Sequence, residues 1–266
     1  MTIIRKNFLV KFRVSNYTIS QGHFNKGWIN VKKQLKDIAY FESSVPIEIG
    51  SKIPEELGEI YDFSAHSDII GHKFALLLHG AGFSINDCEQ VLINFTPALA
   101  EEVFEVSERR LQRWQCFVNA GLQPESVKAI PLEEKRMLLV ALTEKVLKEC
   151  FAENLAEQKQ IHEAAREIVM YGEKLEIPYL QKNDKNFDVT VALNLLNDGS
   201  ARVILTIRDK QGSVISKREI AQCQSYDEAV NQAGSILVRK NRIVVKPKNN
   251  LNAKEVSPIE IILDEE

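Results

Sequence analysis

Acidic residues are missing from the first 36 positions of this chain, although Asp and Glu outnumber Lys and Arg overall, at 37 against 34. The same stretch carries eight basic residues, namely Arg5, Lys6, Lys11, Arg13, Lys26, Lys32, Lys33 and Lys36. A second acid-free stretch, residues 238–254, carries six more, namely Arg239, Lys240, Arg242, Lys246, Lys248 and Lys254. Such segregation is typical of a surface that contacts an anionic partner, although solvated faces of ordinary helices and strands would give the same composition.

Long apolar runs and paired cysteines are also missing. No run approaches the roughly 20 apolar residues that a membrane-spanning helix needs. The four cysteines (Cys88, Cys116, Cys150 and Cys223) are widely spaced without a Cys-x-x-Cys motif, which favours free thiols in a reducing compartment. The first residues contain charges within their apolar stretch and no small-residue cleavage site, so they do not resemble a signal peptide. We therefore expect a cytoplasmic protein with no membrane contact.

Motifs of catalysis and cofactor binding are absent as well. The sequence contains no Gly-x-Ser-x-Gly for a nucleophilic serine and no Gly-Lys-Ser or Gly-Lys-Thr for a phosphate-binding loop. Cys116 lies between large apolar residues, Trp114 and Phe117, which suits a core thiol better than a reactive one. The sequence therefore predicts no catalytic residue and no cofactor, and an enzyme with an unrecognised site is left as an alternative.

Three of the five histidines, His66, His72 and His79, lie near Asp62 and Asp68. His72 and His79 share a helix face but are about 10.5 Å apart along the axis at 1.5 Å per residue. One zinc ion could not bridge them, because zinc–nitrogen bonds are about 2.0–2.1 Å long. Asp68 and His72 have a suitable spacing, yet two ligands do not make a site. We predict no metal, and we expect a partly buried histidine pair that caps or lines helix contacts.

Helical patterns dominate residues 55–172. Predicted helices cover 68–79, 85–95, 97–106, 108–120 and 132–171, the last being one helix or two joined near Glu153 and Asn154. Caps such as Ser67 and terminators such as Gly80 and Gly121 separate them. Before this region, residues 7–14 alternate in part and predict a short strand.

After Pro178 the apolar residues recur at every second position, as they do in half-buried strands. Predicted strands cover 189–195, 203–207 and 213–221, with Asn197-Asp198-Gly199 as a hairpin turn. Ser225 and Glu228 form a capping box that opens a helix over 226–239. The predicted fold class is therefore α+β: a mainly helical domain with a short N-terminal strand region over 1–175, a three-stranded antiparallel meander plus helix over 186–248, and a linker and acidic tail over 249–266.

An internal similarity links residues 81–91 to residues 120–130, at an offset of 39 residues. Both begin with Ala-Gly and an apolar residue, and periods of this length are typical of helical repeats. The matching positions across the segment are Gly82, Phe83, Ser84, Asp87, Leu92, Phe95, Pro97, Leu99, Leu111, Phe117, Gly121 and Leu122. With these residues, segment 81–130 resembles the repeats of the mitochondrial transcription termination factor family. The resemblance implies a right-handed helical stack able to bind a nucleic-acid duplex.

Two functions fit these observations. The first is a non-catalytic, nucleic-acid-associated protein that uses both basic segments, because aromatic residues such as Trp28 lie among the cations and could stack on bases. Its predicted contact residues are Trp28 and all of the basic residues named above except Lys254. The second is a protein-binding inhibitor, of the immunity or antitoxin-like kind, that uses its acidic middle and tail against a basic target.

Overall fold

The computed structural model describes residues 32–239 and 242–262. The first half contains β1 (Lys33–Gln34), β2 (Asp37–Glu42), β3 (Glu55–Glu56), α1 (Asp68–Gly80), β4 (Ser84–Ile85), β5 (Gln90–Thr96), β6 (Phe104–Val106) and β7 (Gln115–Gly121). The second half contains α2 (Pro124–Lys128), α3 (Leu132–Cys150), α4 (Leu155–Tyr171), β8 (Glu176–Asn183), β9 (Asp188–Leu195), β10 (Ala201–Arg208), β11 (Val214–Cys223), α5 (Tyr226–Gln232), β12 (Ser235–Arg239), β13 (Arg242–Lys246) and β14 (Ile259–Ile262). None of the helices in these ranges combines the length and apolar character needed to cross a lipid bilayer.

The central sheet has five strands in the order β3-β2-β5-β7-β6. Its three inner strands are parallel, with Ile38 opposite Val91 and Val91 opposite Cys116, whereas both edge strands are antiparallel to their neighbours. Helix α1 connects β2 to β5 and packs on one face of the sheet together with α3. Contact with β2 is close at Gly71, where an added Cβ would lie 2.2 Å from the Ile38 carbonyl oxygen.

The helices predicted over 85–95 and 108–120 are wrong, because residues 90–95 belong to strand β5 and residues 115–120 to strand β7, with turns and irregular backbone before each strand. Both strands are buried on both faces of the sheet, so apolar residues occupy consecutive positions in them, as in Val91-Leu92-Ile93 and Cys116-Phe117-Val118, without alternation. Apolar spacing alone cannot distinguish such a run from a buried helix. The segment 97–106 likewise contains a turn and β6 rather than a helix. The helical stack implied by the family resemblance is therefore not what residues 81–130 form.

The predicted long helix over 132–171 is two helices, α3 and α4. Chain direction changes at residues 151–154, and the Asn154 side chain caps α4 by accepting a hydrogen bond from Glu157 N at 3.0 Å. A side-chain cap of this kind satisfies one of the free backbone donors at a helix start. The break near Glu153 and Asn154 is one of the two alternatives that the sequence left open.

The meander has four strands, in the order β11-β10-β9-β8, so the three-stranded prediction is wrong. The additional strand, β8, contains Pro178 and lies at a sheet edge, where the missing backbone donor of proline is tolerated. The helix predicted over 226–239 ends at Gln232, and the chain continues into the antiparallel sheet β12-β13-β14. Strand β14 comes from segment 249–266, which was predicted to be linker and tail.

The mostly helical N-terminal domain of the prediction is therefore absent from the described residues, where strands predominate. Helix α1, helix α3 and sheet β8–β11 contribute to one continuous hydrophobic core, which includes Phe74, Leu139 and Leu193. The predicted division between residues 175 and 186 falls across strand β8, and the core continues on both sides of it. The strand predicted over 7–14 lies outside the described residues.

Candidate interaction face

One face of the parallel sheet is not packed against helices. Side chains alternate between the two faces of a strand, so Phe41, Leu92 and Phe117 point away from the face that contacts α1 and α3. A separate small core forms there from Ile47, Leu92 and Phe117. Ile47 belongs to residues 43–54, the loop that follows β2. A parallel sheet normally has helices on both faces, whereas here a single loop covers the second one.

Buried polar side chains fasten this loop to the sheet. Asn119 in β7 accepts a hydrogen bond from Ile47 N at 2.7 Å and donates to Ile47 O at 3.2 Å. Asn94 in β5 donates to the same Asn119 oxygen at 3.0 Å, and Ser107 donates to Ile47 O at 2.6 Å. All three polar side chains are buried and satisfied. Because buried polar groups are costly unless they are paired, this network holds the loop in one position.

The remainder of the connection is also fixed. The Glu42 carboxylate, which is buried at the end of β2, accepts backbone hydrogen bonds from Ile60 at 2.6 Å and from Tyr61 at 3.3 Å. Arg109 donates to the carbonyl groups of Ser51 and Lys52. The loop is therefore tied to the rest of the fold at its beginning, where Ser43 N donates to Phe95 O at 3.1 Å, at Ile47 in its middle, and at Ser51 and Lys52 toward its end.

Although it is fixed, the loop exposes large apolar side chains. Val45, Ile49 and Ile53 are 58%, 74% and 63% exposed, and Val106 beside them is 48% exposed. A fold that only needed to cover its sheet would point such side chains inward, as it does with Ile47. Exposed apolar residues that lie near one another mark interaction surfaces more often than isolated ones do. We call the surface formed by residues 43–54 and 105–108 the loop face.

Two clefts open on the loop face, and Ile47 lines both. The first cleft, of about 340 Å³, is lined by residues 46–49, residues 105–108 and Asn119. Three carboxylates, those of Glu48, Glu105 and Glu108, stand in it without a lysine or arginine in the lining. No ion pair of these three carboxylates is found in the described part of the chain.

The second cleft, of about 380 Å³, is more apolar. Val45, Ile53 and Pro54 contribute to its lining, together with Lys52 and Glu55. The loop face therefore combines an apolar cleft with a neighbouring acidic one. A lysine or arginine side chain of a partner would suit this surface. Its apolar stem could contact the apolar lining, while its positive end lies near the carboxylates.

The predicted nucleic-acid contacts fall partly outside the described residues, namely Arg5, Lys6, Lys11, Arg13, Lys26, Trp28 and Lys240. Lysines 32, 33 and 36 are described, and each has an acidic partner. Lys32 pairs with Glu153 at 2.7 Å, whereas Lys33 and Lys36 share Glu89 at 3.6 and 2.6 Å. Hydrogen bonding from Lys36, followed by its charge and that of Lys33, lowers the pKa of the Glu89 carboxyl group.

The C-terminal basic residues are distributed over β12, β13 and the turn that follows. Arg242 pairs with Glu260 on the neighbouring strand β14. The Lys248 ammonium nitrogen lies 5.8 Å from the centroid of the Tyr179 ring, whereas Arg239 and Lys246 end their strands. The structure thus brings Lys33 and Lys36 together on one carboxylate, and it gives Lys32 and Arg242 separate acidic partners.

The three clustered histidines have separate surroundings. His72 Nδ1 lies 3.0 Å from Asp37 Oδ1, and its ring stacks on Tyr226 with centroids 4.0 Å apart. His79 Nδ1 lies 3.1 Å from the Leu35 carbonyl oxygen, and the His66 ring packs beside the turn at Gly199. Within the described ranges, no group of three or more candidate ligands could hold a metal ion.

Pro46, Gly50 and Pro54 break any regular spacing in residues 43–54, and the sequence analysis accordingly assigned no site to this loop. The available signal was the density of branched apolar residues in that connection, which includes Val45, Ile49 and Ile53 within nine positions. Loops usually lie at the surface and carry polar residues. An apolar loop that is too short to form its own core therefore predicts either burial of another element or contact with a partner.

Comparison of the chain with protein-family models, with curated proteins and with solved structures finds no match in any of the three. The resemblance of residues 81–130 to the termination-factor repeats accordingly stays a prediction from those residues alone.

Proposed function

We propose that this chain is a non-catalytic protein-binding protein that docks a basic protein partner on its loop face. The observation that carries the proposal is a rigidly held loop that exposes Val45, Ile49 and Ile53 beside an acidic cleft without cations in its lining. Inhibition of a basic target protein, in the manner of an immunity or antitoxin-like protein, is the function that this arrangement supports best.

Different groups on the loop face would supply affinity and specificity. Apolar anchors such as Ile49 and Ile53 would lose their contact with water on binding, at about 25 cal/mol for each Å² of apolar surface buried. The carboxylates around them would steer a positively charged partner and disfavour a negatively charged one. Because the loop is already held by Asn119 and Arg109, little ordering cost opposes association.

Nucleic-acid association is the second candidate function, and it rests on the acid-free segment 1–36. Residues 32–36 are the only part of that segment that the structure describes, and their lysines contact Glu89, Glu153 and Glu157. The remaining cations of the segment lie in residues 1–31, outside the described ranges. The two functions use different surfaces, so one capture experiment can compare them.

A photo-crosslinking amino acid at position 49 is expected to capture a basic protein from an extract of the source cells. The matched control is the same amino acid in place of Ile215, which is also exposed, at 52% against 74% for Ile49, but lies on strand β11. We expect one protein enriched about ten-fold at position 49 over position 215, as for an interface residue compared with open surface. Mass spectrometry of the crosslinked species identifies the partner and its net charge.

Equal capture at the two positions would contradict docking on the loop face. Recovery of nucleic acid with the full chain, in a form that is released by high salt and does not crosslink to position 49, would instead favour the second function.

A further inference from the structure

Strand β6 forms one edge of the central sheet. It pairs with β7, and Glu105 in it lies directly opposite Asn119. Residues directly opposite each other on antiparallel strands carry their side chains on the same face of the sheet. The Glu105 side chain therefore lies on the loop face, where both residues line the acidic cleft. The outer side of β6 is thus a border of the loop face.

Two residues of β6 direct their backbone groups to that outer side. Ser107 N donates to β7 at 2.9 Å and Val103 O accepts a hydrogen bond from β7 at 2.8 Å, so the odd-numbered residues bond to β7. In an antiparallel pair, the residues between these point their N–H and C=O groups away from the partner strand. Phe104 and Val106 therefore present two donors and two acceptors, to which no loop or turn backbone in the described ranges bonds.

The two longer edge strands, β8 and β11, are less suited to accept another strand. Register shifts interrupt their pairing, next to Pro178 in β8 and at two places along β11. Such bulges bend and twist an edge strand away from an incoming one. The pairing of β6 with β7 has no register shift, and Val106 is 48% exposed. Strand β6 therefore combines unpaired backbone groups with access from solvent.

The charge along β6 selects the kind of strand that can pair with it. Residues 101–108 contain four glutamates and no lysine or arginine. A second copy of β6 would oppose this segment with an identical one, and like charges directly opposite each other destabilise a strand pair. An extended segment with lysine or arginine at alternate positions would instead place its cations on the face that carries Glu105. The charge therefore favours a basic strand from another protein over self-association.

We propose that the basic partner docks by adding an extended segment as a further strand beside β6, with its lysine or arginine side chains directed to the acidic cleft. This inference rests on the proposed function, because it states how the partner of the loop face binds. In strand addition the backbone hydrogen bonds supply affinity, and pockets for alternate side chains supply specificity. The backbone groups of Phe104 and Val106 take the first role, and the carboxylates of the cleft take the second.

Val106→Pro, in the chain that carries the photo-crosslinking amino acid at position 49, is expected to lower capture of the basic protein about ten-fold. Proline removes the outward donor and puts its ring where the added strand would lie, yet an edge strand tolerates it where the N–H faces outward. Val214→Pro is the matched control, because Val214 is 54% exposed and begins edge strand β11. Its N–H also faces outward, since the neighbouring Ser213 O accepts the bond from β10 side. This variant should capture as the parent does.

Undiminished capture by a Val106→Pro variant that unfolds at the parent's denaturant midpoint would overturn strand addition and leave the proposed function standing. Equal loss of capture in both proline variants would overturn it as well. Equal capture by the parent at positions 49 and 215 would contradict both proposals.

Hydrogen exchange of the unmodified chain decides the matter if Val106→Pro does not fold. The probe is the protein captured from position 49, purified after its identification. We expect the amides of Phe104 and Val106 to exchange about ten-fold more slowly when this protein is bound, because they then donate to its added strand. Unchanged exchange of both amides in the complex would overturn the proposal.

Discussion

Replacement of Gly71 by alanine is expected to destabilise the protein by about 3 kcal/mol, toward the upper end of what overpacking a core costs. A methyl group at this position in α1 would lie 2.2 Å from the carbonyl oxygen of Ile38 and 3.0 Å from its carbonyl carbon. These are backbone atoms of the inner strand β2, so no side-chain rotation can relieve the overlap. Helix α1 would have to move away from the sheet, and the core that they share would open.

Gly80→Ala is the matched control, because Gly80 is the last residue of the same helix and an added Cβ would meet nothing within 4 Å. Alanine is a better helix former than glycine by about 1 kcal/mol, so this variant should keep or slightly raise the stability. Chemical denaturation of the three proteins, followed by circular dichroism, gives both free-energy changes. If both variants have the stability of the parent, α1 does not pack against β2 as described.

Replacement of Lys73 by methionine is expected to change how stability depends on pH, by about 3 kcal/mol between pH 8 and pH 10.5. Lys73 is buried in α1, where its ammonium group donates to Gly172 O at 3.0 Å. Burial lowers the pKa of this amine to about 8 from 10.5, partly opposed by the charge of Glu173. Between those two pH values the unfolded chain binds more protons at this position than the folded one does.

Below pH 8, burial of the charged Lys73 amine therefore lowers the folding stability by its full amount. Above pH 10.5 the amine is neutral in both states, and this loss of stability is absent. The stability of the parent protein relative to Lys73→Met should therefore rise as the pH increases through this window. Subtraction of the two curves removes the contribution of the tyrosines, which titrate in both proteins. Lys159→Met is the control, because this lysine is 76% exposed and its difference curve should be flat. A flat curve for Lys73→Met as well would mean that its amine is solvated.

The parts of the fold that sequence predicted best are those with a distinct spacing. Helix α1 begins one residue after Ser67, as its polar start and apolar face predicted. Strands β9 and β10 match the alternating segments after residue 188, and the turn at Gly199 has the positive φ of 89° that glycine accommodates. Local patterns suffice in these strands, because large apolar residues such as Val191 and Leu205 recur at every second position with mostly small or polar residues between them.

The elements that the sequence analysis missed lack such an alternation of apolar with other residues. Strands β5 and β7 are buried on both faces, so nothing in their spacing reports that they are strands. Strand β8 is an edge strand with few buried side chains, which leaves it without a clear apolar pattern. Both cases depend on tertiary position, which local sequence does not encode.

The density of apolar residues in the loop could be read from the sequence, but which residues share the loop face could not, for a related reason. Glu48 lies more than fifty positions from Glu105 and Glu108, and the two segments meet through the pairing of β6 with β7 and the hydrogen bonds of Ser107 and Asn119 to Ile47. The exposure of Ile49 likewise depends on Ile47 taking the covering position on the sheet. Sequence reveals the residue types, whereas the topology decides which of them share a surface.

Docking of a basic partner on the loop face is tested most directly by photo-crosslinking from position 49 in two variants with altered surface charge. The first background replaces Glu48, Glu105 and Glu108 by glutamine. The second replaces three exposed glutamates that lie in α2 and α3, outside the cleft linings, and form no ion pair in the described ranges, namely Glu125, Glu134 and Glu149. We predict that capture of the basic partner falls about ten-fold in the first background, with the loss largest at low salt, and is unchanged in the second. Equal capture in both backgrounds would contradict a basic partner on the loop face.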